Sequence, residues 1–145
     1  MTLENGQRNQ TRQYYWDENM SKKVNIIVTQ PPYGKEDAYS AIPLAETQAA
    51  AGNTPSITFV SGGVHSVVKG QKTGYGDVAV WQKDVPSMEA SIIKAKDSVK
   101  FYALEADLKK RGVADNEIIE GVSKLNIDDL ANTGERSNTG VLRWQ

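Results

Sequence analysis

The chain has 145 residues, 39% apolar and 24% charged, and its 17 basic and 18 acidic side chains leave a net charge of -1. That is the composition of one ordinary globular domain. It gives no bulk pull toward nucleic acid or an anionic membrane, and no apolar run approaches the roughly 20 residues a spanning helix needs. The chain holds no cysteine and a single histidine, His65, which excludes disulfides, thiolate zinc sites, cysteine nucleophiles and multi-histidine metal centres. No secretory h-region is legible at the N-terminus, so a cytoplasmic location is expected, with no metal or other cofactor.

Residues 1–22 are polar and read as a loosely ordered extension. Within them Tyr14, Tyr15 and Trp16 either pin the arm to the body or a neighbouring subunit, or form an aromatic nucleic-acid platform that has no basic companion. Residues 23–145 read as one domain. Val24 to Thr29 is a short, β-branched apolar run, as expected of a strand covered on both faces in a parallel sheet. Gln30-Pro31-Pro32-Tyr33-Gly34 stops it. From Asp37 to Ala51, Ala38, Ala41, Ile42, Ala45 and Ala49 recur at helical spacing, with Gly52 as a stop. Pro43 either kinks this helix or marks where its regular part begins.

Ser56 to Val60 is the second expected strand. Ser61-Gly62-Gly63 turns the chain, and Val64, Val67 and Val68 fit a short helix. Gly70 to Gly76 reads as a glycine-rich loop, and Val78 to Trp81 as a short strand or a packed loop. Pro86-Ser87 opens a helix with Met88, Ile92 and Ala95 on one side. Val99 to Tyr102 reads as a strand. Leu104 to Arg111 reads as a helix with cations in its last turn and Gly112 as its stop. Ile118-Ile119 fits a brief extended piece, Asn126 an N-cap for a helix through Leu130, and Gly140 to Trp144 a last strand. Alternating strands and helices predict an α/β fold: three layers, α/β/α, around a mainly parallel sheet of about five strands, flavodoxin-like in appearance.

The succession KVNIIVTQPPYGKEDAYSAIPLAETQAA, ITFVSGGVHSVVKGQ, SVKFYALEADLKKRGV and IIEGVSKLNIDDLA resembles the DsrE/DsrF-like family over about Lys23 to Trp144. The resemblance lies in the order and spacing of these segments, chiefly GVHSVVKGQ and the strand–helix ending in Lys-Arg-Gly. It implies a compact α/β/α domain of the DsrEFH kind, assembly as trimers or hexamers, and a place in sulfur relay. In the sulfur-trafficking members a cysteine after the strand equivalent to Val99–Tyr102 carries a persulfide. Counted back from Arg111-Gly112, that position is Leu104 here, and the second cysteine position of some members is Asp107. Leucine has neither a lone pair nor an ionisable proton, so this chain alone is expected to have no sulfurtransferase activity. Cysteine-bearing relay proteins are the partners the resemblance implies.

The resemblance also implies a pocket where strand ends meet helix starts: Tyr33 and Gly34, then Ser61, Gly62, Gly63 and His65, then Tyr102, Leu104 and Asp107. Ser61-Gly62-Gly63 reads either as an anion cradle or as a plain tight turn; it lacks the ending of a P-loop. His65 is a general base, an anion ligand, or a surface or capping group. Glu105 and Asp107, two apart on one helix, do not face each other and make no paired-carboxylate site. Lys109-Lys110-Arg111 reads as a solvated helix end. Lys72 and Tyr75 lie on a loop that either closes over a ligand or only connects. Three functions follow. The first is a non-catalytic binding or partner subunit tied to sulfur trafficking. The second is a small-molecule enzyme using His65, with Asp107 or Tyr33, for proton transfer or hydrolysis. The third is a nucleotide-binding module.

Overall fold

The computed structural model describes residues 22–33, 36–71, 87–136 and 138–142. The N-terminal aromatic residues, Gly34, the loop with Lys72 and Tyr75, the Val78–Trp81 segment, Pro86 and Trp144 lie outside the described residues. Five strands, β1 (Lys23–Val28), β2 (Thr54–Phe59), β3 (Lys100–Leu104), β4 (Val122–Leu125) and β5 (Asn138–Leu142), form one sheet in the order β4-β3-β2-β1-β5. Every neighbouring pair is parallel. β1 is an interior strand between β2 and β5, and β2 takes the middle. The order differs from the 2-1-3-4-5 winding of flavodoxins.

Parallel pairing requires a crossover after each strand, and right-handed crossovers decide which face each one covers. The chain steps one way from β1 to β4. The crossovers on that path carry helices α1 (Asp37–Ala50), α2 (Met88–Ala95) and α3 (Glu105–Lys110). The return from β4 to β5 runs the other way across the whole sheet, so its helix α4 (Ile127–Arg136) belongs on the opposite face. The first face holds the core. Ile26 and Val28 of β1, Ile57 and Phe59 of β2, and Phe101 and Ala103 of β3 cluster with Ala38, Ala41, Ile42 and Ala45 of α1 and Met88, Ile92 and Ala95 of α2. Phe59 and Phe101 stack with centroids 6.4 Å apart. The small α1 residues let that helix lie close to the sheet, as their spacing predicts.

The second face is polar at its centre. The Asn25 Oδ1 of β1 accepts hydrogen bonds from Ser56 Oγ (2.9 Å) and Thr58 Oγ1 (3.0 Å) on β2. Asn25 and Thr58 are both buried. The apolar reading of β1 therefore holds for one face, while the other is bound to β2 by side-chain hydrogen bonds.

Helix ends follow the sequence. α1 runs unbroken through Pro43, which lies on its exposed side. Gly52 (φ +89) and Gly112 (φ +70) each close a helix in the left-handed conformation. Gly112 N–H donates to Lys109 O and Val113 N–H to Leu108 O, the pair of bonds that satisfies the last carbonyls of α3. Ser87 caps α2 by accepting from the Ala90 N–H, and Asn126 caps α4 by accepting from the Asp129 N–H.

Several boundaries depart from expectation, and the last strand already begins at Asn138 rather than at Gly140. Ile118 is the brief extended piece expected there, an isolated antiparallel bridge with Val68, but a further strand not expected from the sequence follows at Val122–Leu125, whose short, largely exposed run carries little periodic signal. α4 extends past Leu130 to Arg136. The short helix expected around Val64 and Val67 is present as a 3-10 helix, and it begins earlier, at Ser61, running to Val67. Among the described residues no helix is long and apolar enough to cross a membrane.

Candidate functional site

Because all five strands run the same way, their carboxyl ends share one edge, the edge where ligands bind in such sheets. The 3-10 segment is held against it by close backbone contact. Gly63 N–H donates to Thr29 O (3.1 Å) and Val60 O (2.8 Å), and Val60 N–H donates to Val28 O (3.0 Å). A Cβ on Gly63 would run into the Val28 carbonyl, and one on Gly62 would come within 2.9 Å of Pro31 Cδ. Both glycines are buried, and both are needed for this approach.

Ser61 opens the segment at φ 52, in the left-handed region that side chains rarely adopt. Its N–H donates to Asp107 Oδ2 at 2.6 Å. One turn on, His65 Nε2 lies 3.3 Å from Arg111 Nη1. Ser61 and His65 are four residues apart, and so are Asp107 and Arg111. The 3-10 segment and α3 are thus clasped by two rungs at matching spacing. The Ser61 amide, which an external anion would need, already holds the protein's own carboxylate.

The Tyr33 ring lies beside His65, with centroids 6.1 Å apart and planes tilted by 50°. The Tyr33 hydroxyl donates to Gln71 Oε1 at 2.6 Å. A connected series therefore runs Gln71–Tyr33–His65–Arg111, with Asp107–Ser61 next to it. A guanidinium only donates hydrogen bonds, so His65 Nε2 accepts from Arg111 and the neutral ring carries its proton on Nδ1. This differs from an activated base, in which a carboxylate orients the imidazole and Nε2 faces the reacting proton.

The remaining expected site residues stand apart from this series. Leu104, at the N-cap of α3, is only 7% exposed, and it pairs with Leu125 of β4. Tyr102 is half-buried and, two residues from Leu104 along β3, shares its face of the sheet, opposite Phe101 and Ala103. Glu105 pairs with Lys109 at 3.2 Å, while Asp107 turns to Ser61, so the two carboxylates diverge as their spacing requires. Among the described residues no three His, Asp or Glu side chains gather so as to hold a metal ion.

Sequence reasoning missed Arg111, read as part of a solvated helix end, and Gln71. The matched i, i+4 spacings carry the signal for Arg111, but only once the two segments are known to lie side by side. It also missed Asp37. This first residue of α1 is fully buried, and neither carboxylate oxygen has a hydrogen-bond partner among the described residues. It stands at the N-terminal end of the helix, where the backbone dipole is positive.

The sequence model of the DsrE/DsrF-like family matches residues 22–139. The chain belongs to the DsrE/DsrF-like family. Its similar relatives include MK0008 of Methanopyrus kandleri, an uncharacterised protein that is 27% identical over 119 residues, covering 81% of this chain and 91% of that one. MJ0989 of Methanocaldococcus jannaschii, also uncharacterised, is 29% identical over 112 residues, covering 74% and 88%. Among solved structures, the ychN protein of E. coli superposes with a TM-score of 0.64 at 22% identity, covering 86% of this chain and 100% of that one. MTH1491 of Methanobacterium thermoautotrophicum, of unknown function, gives 0.63 at 12%, covering 83% and 99%. These two superpositions show that the DsrE-like fold is shared.

Proposed function

We propose that this DsrE/DsrF-like chain is a non-catalytic binding or partner subunit of a sulfur-relay assembly. Leu104 carries the reading. A buried, unreactive side chain occupies the strand-to-helix junction where relay members of the family place their persulfide cysteine. Asp107, at the second such position, is engaged as a brace for the 3-10 segment. The chain works in the cytoplasm as a symmetric trimer or hexamer, and a cysteine-bearing partner supplies the thiol it lacks.

The test is capture of the protein from its native host, with mass spectrometry of bound proteins for cysteine persulfides, alongside light scattering of the purified chain. A persulfidated partner and a trimer or hexamer are expected. A monomer would remove the assembly part. Purified chain that takes up labelled sulfane sulfur and passes it on unaided would overturn the non-catalytic part.

A further inference from the structure

We propose that the His65–Arg111 contact is a pH-sensitive latch, which ties the 3-10 segment to α3 while the imidazole is neutral and lets go when the ring takes a proton. The guanidinium of Arg111 only donates, so the contact at 3.3 Å exists because His65 Nε2 offers a lone pair. A proton on the ring occupies that lone pair. Both partners are then donors and both are cations, so the hydrogen bond is lost whatever other charge lies nearby. His65 is the chain's only histidine, and histidine is the side chain whose ordinary charge change falls near neutral pH, at about 6.5.

The surroundings do not restore the tie. Tyr33 meets the imidazole with its ring, and its hydroxyl is bonded to Gln71. Helices α2 and α3 pack against the segment. Of their carboxylates, Glu89 accepts from the Gly70 N–H and Glu105 pairs with Lys109. Asp107 holds the Ser61 N–H, and its charge offsets part of the repulsion. A released Arg111 that turns to Asp107, four residues back, makes a contact within α3 and none across to the segment. Lys94 and Lys110 are exposed cations and offer no acceptor. With the latch open, the Asp107 rung is left to hold a segment whose first residue, Ser61, sits at a strained left-handed φ of 52. His65 is half-buried between Val64 and Ser66, which are both buried, so loss of its rung is felt in the packed backbone. The carboxyl edge of the sheet therefore loosens in acid and tightens toward neutral pH.

The experiment follows amide hydrogen exchange by NMR in the intact chain from about pH 8 to about pH 5, each rate divided by the intrinsic rate at that pH. The single imidazole signal is recorded alongside, and it fixes when His65 takes its proton. The amide of Gly63, bonded to Thr29 O and Val60 O, is the reporter, and that of Ala45 in the middle of α1 is the control. Corrected exchange at Gly63 is expected to rise roughly twofold to tenfold in step with the imidazole signal, the effect of losing one hydrogen bond, while Ala45 stays constant. H65Q keeps an acceptor for Arg111 that does not titrate, and the rise disappears. R111Q exchanges at the faster rate throughout, with no step. Exchange at Gly63 that ignores the protonation of His65, as it would if the charged ring turned to Asp107 and kept the segments joined, overturns the latch. So does a step that persists in H65Q or in R111Q.

Discussion

Two strand-to-helix junctions on the same sheet edge behave in opposite ways. At the β2 junction, Ser61 to Gly63, the backbone is under tight constraint: two buried glycines press on β1 and a serine holds a left-handed angle. At the β3 junction the backbone is ordinary, with Leu104 extended at φ -68, ψ 120, and the side chain decides everything. The first junction cannot change without moving β1. The second constrains its residue only by burial, so its side chain can be exchanged for another that fits while the fold is kept. In a scaffold of this kind geometry is held by packing between segments, while chemistry can rest on one replaceable atom.

The largest effect is expected from testing that replaceability. L104C would give the chain its only thiol, placed at the N-terminus of α3. Uptake of labelled sulfane sulfur should go from none to a clear signal on mass spectrometry. No uptake would mean that a thiol at this junction is not by itself enough to take up sulfur.

G63A should cost about 2–4 kcal/mol in urea unfolding, since its Cβ meets backbone rather than a movable side chain. G62A should cost less, about 1–2 kcal/mol, because the atom it meets is the Pro31 ring. Equal costs would show that the two glycines do not differ in this way.

D107A should lose about 1 kcal/mol by freeing the Ser61 N–H, and D107N, which keeps an acceptor oxygen, should lose less. Both are read by the same unfolding curves. A D107A variant as stable as the parent would remove the clasp from the account. The smallest effect is S61G, expected to stabilise by about 0.5 kcal/mol. Relief of the left-handed angle slightly exceeds the added freedom of the unfolded chain.

Residue types and spacing alone determined the α/β class, the strands at β1, β2 and β3, the helix opening at Ser87, the cap at Asn126, the glycine stops, and the absence of any thiol. Each is a local property: a periodicity, a cap or a missing atom. β4 was not legible, because its four residues are held by pairing with β3 and only partly by burial of their own. The polar second face was not legible either. Asn25 looks like a blemish in an apolar run until Ser56 and Thr58 are seen to bond to it from the next strand. Only the tertiary structure brought Arg111 to His65 and Asp107 to Ser61, across 46 residues of chain in each case. Such pairings depend on how two crossovers settle side by side on one sheet edge, and no local spacing encodes that.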